Sequence, residues 1–347
     1  MTSDSVRKVL SLVEELDALA AGSAFSGVVR VDVAGSVLLA RAYGDAHRGW
    51  RIPNTPDTRF GIASGTKGLT ALTVLCLVED GLLNLATPVR TLLAQDLPLI
   101  DDRVTVEHLL CHRSGIGDYL DESAVEVDDY VMPVPVHELD SSTDYLKIMD
   151  GHPAAFEPGE RFVYCNSGYV VLAVVAERVS GKPFHELVVE RVCEPAGMRD
   201  TEFLRSDALP GRTALGYLAA GDDLRTNVLH LPVRGSGDGG IYTTVADVRR
   251  LWQALFAGEV LPLARVVDLR QPRGETGERL RYGLGFWIDA ASQTIELHGS
   301  DAGVSFRSVH DPSTDTTHTV VSNTSAGAWP VARALDQIRL TRDGGTP

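Results

Sequence analysis

The sequence predicts an α+β fold in which one sheet is built from both ends of the chain and a mostly helical region is inserted between them. Strand patterns occur at 27–40 and again from about residue 282, whereas helical patterns prevail from about 65 to 205. Short turns separate the C-terminal strand patterns, which predicts that these strands pair antiparallel.

The strands are predicted from alternating apolar residues and from the turns between them. Near the N-terminus, 27–33 and 36–40 flank Ala34 and Gly35, which is a β-hairpin signal. A short extended segment is predicted at 58–62. Four further strands are predicted near the C-terminus, at 285–288, 294–297, 304–308 and 317–321.

The helices are predicted from apolar residues at helical spacing. Residues 10–19 carry this pattern with acidic residues between, which predicts an amphipathic helix on the surface. By contrast, 118–150 is acidic and is predicted to be irregular and exposed, and Gly235–Gly240 is predicted to be a loop with close backbone approach. The other predicted helices cover 69–78, 105–110, 168–180, 244–256 and 326–340.

The composition narrows the classes of function. The chain has 347 residues and a formal net charge of −15, which disfavours nucleic acid and anionic membranes as partners because both would repel it. No apolar run is long enough to span a membrane, and the N-terminal segment lacks the continuous apolar core of a signal peptide. We therefore expect a cytoplasmic protein that binds neither nucleic acid nor membrane.

The cysteines indicate neither disulfides nor a metal site. They are widely spaced, with no C-x-x-C pair, and the sequence has no H-E-x-x-H, so we expect buried free thiols and no metal. The four cysteines are Cys76, Cys111, Cys165 and Cys193.

A serine and a lysine stand three residues apart at Ser64 and Lys67, where a buried helix is predicted to begin. Residues three apart share a helix face, so the hydroxyl and the amine would be neighbours. The chain has only four lysines, and a desolvated lysine, unlike arginine, can lose its proton and accept one from a hydroxyl. A second match, Ser5 and Lys8, lies in a polar segment and is interpreted as chance. The alternative for Ser64 is a plain helix N-cap.

A second pattern, a tyrosine and an asparagine two residues apart, occurs at Tyr164 and Asn166. It lies on a predicted loop between a turn at 156–161 and the next helix, a place where site residues are common. A phenol beside a lysine ammonium is expected to have a lowered pKa and to exchange a proton near neutrality. The alternative is a loop tyrosine with a polar neighbour.

These motifs together resemble the serine β-lactamase and penicillin-recognising superfamily, nearest its class C, DD-peptidase and esterase-like branch. The family's S-x-x-K motif matches Ser64 and Lys67, and its Y-x-N motif matches Tyr164 and Asn166 in the same order. The resemblance implies that Ser64, Lys67 and Tyr164 are catalytic and that Asn166 binds substrate.

The resemblance extends over about 25–325 and includes two further segments, 109–116 (LLCHRSGI) and 156–160 (FEPGE). It implies a three-layer α/β/α fold of the β-lactamase/transpeptidase type, with 1–347 forming one catalytic unit. Within this unit we expect a sheet subdomain of approximately 1–63 plus 235–347 and a helical subdomain of approximately 64–234.

The family's third motif, K-T-G or H-x-G on an inner strand, is where this sequence departs from the pattern. If His298 takes the first position, Ser300 stands where glycine belongs. If the later Gly303 is aligned instead, the motif is Leu297-His298-Gly299 and has no cation in first position. We favour this second register, because the motif glycine must let backbone approach the substrate.

The second register implies roles for three residues. His298, Gly299 and Ser300 would contact the substrate, and the Ser300 N–H would join that of Ser64 in an oxyanion hole. The alternative for His298 is a core histidine, or one that contacts the site residues without contacting the substrate.

The sequence therefore predicts a serine hydrolase that acts through an acyl-enzyme at Ser64 on small ester or amide substrates, of the esterase or D-amino-acid peptidase type. It predicts no cofactor and leaves the oligomeric state open. One alternative is a true β-lactamase or DD-carboxypeptidase, and another is a catalytically silent ligand-binding relative. An α/β-hydrolase nucleophile elbow is absent, since the residues around Ser64 do not form G-x-S-x-G.

The missing cation generates a prediction about substrate charge. We expect neutral esters to be turned over better than matched substrates with a free carboxylate, by about 10- to 150-fold, which corresponds to one lost charge-assisted hydrogen bond of about 1.5–3 kcal/mol. The measurement is kcat/KM for matched neutral and anionic substrates from pH 6 to 8, in the wild type and in His298→Ala. A strong preference for the anionic substrate at pH 8, unchanged in the variant, would contradict this prediction.

Overall fold

The elements of the fold are taken from a computed structural model, which describes residues 3–122, 125–220, 223–274, 276 and 279–342. The helices are α1 (Ser3–Gly22), α2 (Thr66–Glu79), α3 (Arg90–Leu93), α4 (Val106–Leu110), α5 (Leu146–Met149), α6 (Asn166–Ser180), α7 (Phe184–Val188), α8 (Val245–Ala257), α9 (Leu263–Leu269) and α10 (Ala328–Arg342). The strands are β1 (Gly27–Val33), β2 (Ser36–Tyr43), β3 (Asp45–His47), β4 (Ile52–Pro53), β5 (Phe60–Gly61), β6 (Tyr217–Ala220), β7 (Asp223–Thr226), β8 (Tyr242–Thr243), β9 (Leu280–Tyr282), β10 (Trp287–Asp289), β11 (Ile295–Asp301), β12 (Val304–Asp311) and β13 (Thr316–Ser322).

Seven of these strands form one antiparallel sheet in the order β2-β1-β13-β12-β11-β10-β9. The N-terminal strand β1 pairs with the C-terminal strand β13, for example Val29 with Val320, so the two ends of the chain meet inside the sheet. The predicted sheet built from both ends of the chain, and its antiparallel C-terminal part, are confirmed.

Helices cover both faces of the sheet and so give three layers. On one face, α1 and α10 pack on the strands through a small apolar cluster that includes Leu16, Val29 and Val331. On the other face lies a larger core that contains α2, α6 and α8, where Trp252 and Phe286 are fully buried. Burial of each large apolar side chain in this core contributes about 1.5–3 kcal/mol.

Helix α2 lies inside the helical layer and is buried on all sides. Each residue from Thr66 to Leu77 is buried, and α2 packs against α6, which is buried from Asn166 to Ala176. A helix enclosed in this way is held by core packing around its whole circumference. The two elements that carry the predicted site residues are therefore fixed relative to each other.

The prediction that 118–150 is irregular and exposed is wrong for part of this segment. Tyr119 and Tyr145 are buried, and helix α5 lies within it. The Tyr145 phenol donates to the Arg234 carbonyl at 2.8 Å, and the Tyr119 phenol donates to the Asp238 carboxylate at 2.5 Å. These partners lie far along the chain, so the burial of the tyrosines leaves no periodic signal in the local sequence.

The other local predictions fit the observed elements. The hairpin β1–β2 occurs, Thr105 caps α4 by accepting from the His108 N–H, and Gly235–Gly240 is a loop next to β8. In the described ranges, no helix is both long and apolar enough to cross a membrane.

Strand β11 approaches the turn at Ala63–Gly65 so closely that one of its positions can only be glycine. A Cβ atom on Gly299 would lie 2.1 Å from the carbonyl oxygen of Ile62 and 2.9 Å from the amide nitrogen of Gly65. A side chain at position 299 would push the two backbones apart. The absence of a side chain at Gly299 therefore allows the short separation between β11 and the start of α2.

We expect Gly299→Ala to lower the free energy of unfolding by about 1–3 kcal/mol, because a methyl group has no room between these two backbones. Urea denaturation measures this change. The matched control is Gly211→Ala, where an added Cβ would meet no atom within 4 Å. If the two variants were equally stable, β11 could not approach the turn this closely.

Candidate active site

Ser64 lies in a tight turn between β5 and α2. The turn Ala63–Gly65 is a 3-10 helix, and α2 begins only at Thr66, so Ser64 precedes the helix that it was expected to open. The N-cap of α2 is Gly65 and no side chain caps this helix, so the interpretation of Ser64 as a plain N-cap is wrong. Ala63 has a φ of +45°, a conformation that costs a non-glycine residue about 1–3 kcal/mol and that occurs most often at functional sites.

Lys67 joins three separate parts of the chain through its side-chain nitrogen. Its Nζ lies 2.8 Å from the Ser64 Oγ, 2.8 Å from the Asn166 Oδ1 and 2.7 Å from the carbonyl oxygen of Asp238. The residue is 2% exposed. The protein therefore replaces water around this amine almost completely.

The chemistry of these three partners allows Lys67 to accept a proton from Ser64. The Asn166 Oδ1 and the Asp238 carbonyl can only accept hydrogen bonds, whereas the Ser64 hydroxyl can also donate one. When the amine is neutral, its two N–H groups satisfy the two carbonyl-type oxygens and its lone pair faces the Ser64 hydroxyl. The arrangement can thus accept the hydroxyl proton without moving the lysine.

Tyr164 is the second polar contact of Ser64. Both side chains line the outer cleft, where the Ser64 hydroxyl acts to lower the pKa of the Tyr164 phenol, and the Tyr164 ring centroid lies 4.9 Å from the Lys67 Nζ. Burial raises the pKa of Tyr164 well above its ordinary value, and nearby carboxylates, Glu122 first among them, raise it further. The expectation that this pKa is lowered toward neutrality is therefore wrong, because desolvation and the nearby carboxylates raise it. Tyr164 is a neutral phenol at neutral pH.

A buried histidine packs against the Tyr164 ring. The His112 ring lies 4.3 Å from the Tyr164 ring, and its Nδ1 accepts from the Cys165 N–H at 3.1 Å, so its proton is on Nε2. Burial, with the charge of Lys67, lowers the pKa of His112 well below its ordinary value, so the ring is neutral. His112 therefore fixes the position of Tyr164 by packing and adds no charge.

Asn166 is positioned by the start of α6. The Asp118 carboxylate accepts from the N–H groups of Asn166 at 2.7 Å and Ser167 at 2.8 Å, which ties the beginning of this helix to the preceding loop. The Asn166 amide nitrogen donates to the Leu120 carbonyl at 3.0 Å and to the Glu122 carboxylate at 2.9 Å. These two acceptors hold the amide nitrogen, which leaves the amide oxygen turned toward Lys67.

Asp118 and Asp238 are site residues that sequence reasoning missed. Asp238 contributes its backbone carbonyl to Lys67, while its buried carboxylate accepts from Tyr119. The only signal for Asp238 is its place as the single acidic residue in the glycine-rich loop, and Asp118 lies in the segment predicted to be exposed.

The third-motif segment borders the same site, and the structure supports the register Leu297-His298-Gly299. Gly299 is the position where backbones meet closely, as the motif glycine requires. Leu297 is 3% exposed and packs against Gly68 of α2, so the first position carries no cation. The His298 ring faces the cleft, with its Nε2 2.6 Å from the Glu296 carboxylate and its ring stacked 5.8 Å from that of Trp287.

The register of the β11–β12 hairpin determines where the backbone groups of Ser300 point. Asp301 and Val304 close a two-residue turn and form a hydrogen-bonded pair, so the next pair, Ser300 and Ser305, is not hydrogen-bonded. The N–H and the C=O of Ser300 therefore face the other edge of β11. There the neighbouring strand β10 pairs only as far as Glu296, which leaves these two groups open to the cleft.

Two adjoining cavities meet at Ser64. The deep cavity, of about 290 Å³, is the more enclosed one and is bordered by Ser64, Asn166, Asp238 and Asp301. The outer cleft is bordered by Ser64, Tyr164, Asn166, Trp287, His298, Gly299 and Ser300. Six of the seven predicted site residues thus line one of these cavities, and Lys67 lies beneath them.

The remaining reactive side chains give no second centre in the described residues. Burial raises the pKa of the Cys76, Cys111 and Cys193 thiols to about 12, and that of Cys165 well above its ordinary value, so none is a ready nucleophile. In the same part of the chain, no group of three or more His, Cys, Asp or Glu side chains is arranged to hold a metal ion.

The fold and the motif-bearing site together define a serine hydrolase of the S-x-x-K type. The chain belongs to the beta-lactamase family, whose family model matches residues 12–343.

Relatives of different named activity share this family. The chain is 36% identical over 285 residues to esterase EstB of Burkholderia gladioli, covering 73% of this chain and 72% of the esterase. It is 31% identical over 233 residues to a D-aminopeptidase of Brucella anthropi, covering 64% of this chain and 41% of the peptidase. The chain also spans only 59% of the length of penicillin-binding protein 4* of Bacillus subtilis, so it covers less than two thirds of some relatives.

A solved structure matches the fold over nearly its whole length. A penicillin-binding protein from Bacillus halodurans superimposes with a TM-score of 0.88 and 36% sequence identity, covering 93% of this chain and 99% of that protein.

The hydrogen bonds of Lys67 generate a prediction about its replacement. We expect Lys67→Arg to lose as much activity as Lys67→Ala, about 10²-fold or more in kcat/KM, because a guanidinium keeps its proton and cannot act as a base. The measurement is kcat/KM for an ester substrate in both variants. Lys182→Arg, which changes an exposed lysine paired with Glu190, is the matched control. Near-normal turnover in Lys67→Arg would mean that only the positive charge matters.

Proposed function

We propose that this protein hydrolyses small ester or amide substrates through an acyl-enzyme formed at Ser64. The observation that carries the proposal is the 2.8 Å contact between the Ser64 Oγ and a lysine nitrogen whose other two partners can only accept hydrogen bonds. A ligand-binding protein would have no use for a buried amine aimed at a serine hydroxyl. The catalytically silent alternative is therefore less well supported.

In acylation, the Ser64 hydroxyl proton passes to the lone pair of Lys67 as the Oγ attacks the substrate carbonyl carbon. The carbonyl oxygen becomes an oxyanion, for which the N–H groups of Ser64 and Ser300 are the proposed donors. The bond to the leaving group then breaks. The Tyr164 phenol, neutral in the free protein, gives its proton to the leaving alcohol or amine, and the proton held by Lys67 returns to Tyr164.

In deacylation, a water molecule attacks the acyl carbonyl carbon. Its proton passes to the Lys67 and Tyr164 pair, the bond from the carbon to the Ser64 Oγ breaks, and the proton restores the serine hydroxyl. The product is a carboxylic acid. Each proton taken up in one half of the cycle is given back in the same half, so no cofactor is needed.

The surroundings of Ser64 favour an esterase or amidase over a true β-lactamase or DD-carboxypeptidase. Leu297 occupies the motif position that would carry a cation, and the carboxylates of Glu122, Asp238 and Asp301 line the deep cavity. Substrates with a free carboxylate would be repelled there. The relatives with esterase and D-aminopeptidase names fit the same substrate classes.

The proposal is tested by covalent labelling. We expect a fluorophosphonate probe to add once to the wild type and not at all to Ser64→Ala, because the Ser64 hydroxyl lines both cavities and has the Lys67 amine 2.8 Å away as its base. Intact-mass spectrometry measures the adduct, and circular dichroism checks that the variant is folded. Ser5→Ala, which removes the serine of the other S-x-x-K match, should be labelled like the wild type. Labelling of Ser64→Ala at an unchanged rate would rule out Ser64 as the nucleophile.

A further inference from the structure

Two carboxylates at the Ser64 end of the deep cavity have no cationic partner in the described part of the chain. Among the described residues, Asp301 accepts from the N–H of Ala302, at 2.9 Å, and Glu122 from the side chain of Asn166, at 2.9 Å. None of the described residues that line this cavity is a lysine or an arginine. Negative charge in an enclosed cavity next to a nucleophile favours a substrate group of positive charge.

The open edge of β11 points independently to where that positive group lies. The N–H and the C=O of Ser300 both face the cleft, because the register of the β11–β12 hairpin turns them away from β12. Two residues in a hydrogen-bonded antiparallel pair exchange both of their N–H···O bonds. Suppose that the carbonyl oxygen of the acyl group accepts from the Ser300 N–H. If the acyl group also carries a nitrogen on its α-carbon, that nitrogen then lies at the Ser300 carbonyl oxygen, as the second bond of the pair.

The same geometry places this nitrogen beside a carboxylate. Asp301 follows Ser300 directly in the strand and lines the deep cavity together with Ser64. The deep cavity is more enclosed than the outer cleft, which suits the part of the substrate that stays bound while the leaving group departs and water enters. The acyl group, rather than the leaving group, is thus the part that faces Asp301.

We propose that the acyl part of the substrate carries a free, protonated amine on its α-carbon. This proposal rests on the proposed acyl-enzyme function. The Ser300 carbonyl and the Asp301 carboxylate bind this ammonium. The substrates are then amides or esters of amino acids with an unblocked amino group. Blocking or removing the amine weakens binding of the transition state and so lowers kcat/KM.

The ionisation of Asp301 adds a pH dependence to this selectivity. Burial raises the pKa of Asp301 to about 7, and the charges of Glu122 and Asp238 act in the same direction while Lys67 opposes them. Because this pKa is raised, the carboxylate is charged above about pH 7 and becomes protonated as the pH falls. The ion pair needs a charged carboxylate and a protonated amine, so the preference for an amine is expected to be largest between about pH 7 and pH 8, where an α-amine still holds much of its proton, and to weaken toward pH 6.

The test compares kcat/KM for three acyl groups with a common leaving group: phenylalanyl p-nitroanilide, its N-acetyl derivative and 3-phenylpropionyl p-nitroanilide, with both enantiomers of the first two. One enantiomer of the free amine should exceed the other two acyl groups by about 10- to 150-fold at pH 8, the value of one charge-assisted hydrogen bond. Asp301→Asn should lose most of this ratio and its pH dependence, whereas Asp301→Glu should retain part of it. The substrate amine gains its proton as the pH falls, which by itself would strengthen the preference, so a loss of preference toward pH 6 isolates the protonation of the carboxylate.

Asp102→Asn, which removes the same charge from an exposed position, is the matched control and should keep the full ratio. Equal kcat/KM for the three acyl groups, or a preference retained in Asp301→Asn, would overturn the proposal. The acyl-enzyme function is judged separately, by whether turnover of the 3-phenylpropionyl substrate is lost in Ser64→Ala. A site that cleaves this substrate through Ser64 without preferring an amine would keep that function and exclude the amine-binding role of Asp301.

Discussion

The buried amine of Lys67 is the interaction on which the rest of the site depends. It joins the turn before α2, the first residue of α6 and the glycine-rich loop before β8, three segments that are far apart in the chain. An amine that is 2% exposed is stable only if the protein supplies the hydrogen bonds that water would otherwise make. The elements around Lys67 therefore have to meet at one point, and the nucleophile lies at that point.

The second constraint is the close approach of β11 to the nucleophile turn. Gly299 allows the two backbones to touch, and the register of the hairpin then turns the open backbone groups of Ser300 toward the cleft. The side chains two positions before and two positions after Gly299 set the charge of the site: Leu297 replaces the family's cation, and Asp301 adds a carboxylate. One short strand thus determines both the proposed oxyanion donor and the charge of the substrates that fit.

Much of the fold and of the motif chemistry could be predicted from the sequence, because the relevant signals are local. The strand alternation at both ends gave the sheet, and the spacing of Ser64 with Lys67 and of Tyr164 with Asn166 gave the residues that meet in the structure. Asp118, Asp238 and the buried tyrosines of 118–150 could not be predicted, since their partners are distant in sequence. The direction in which the Tyr164 pKa shifts also depends on burial and on the sum of the surrounding charges, which no local sequence pattern contains.

The most direct test of the central interaction is a crystal structure of the protein after reaction with a neutral phosphonate ester. The proposed mechanism predicts a phosphorus atom bonded to the Ser64 Oγ, with its free oxygen about 2.7–3.1 Å from the backbone nitrogens of both Ser64 and Ser300. It also predicts that Lys67 keeps its bonds to Asn166 and to the Asp238 carbonyl. An adduct on another residue, or a phosphoryl oxygen turned away from the Ser300 nitrogen, would contradict it.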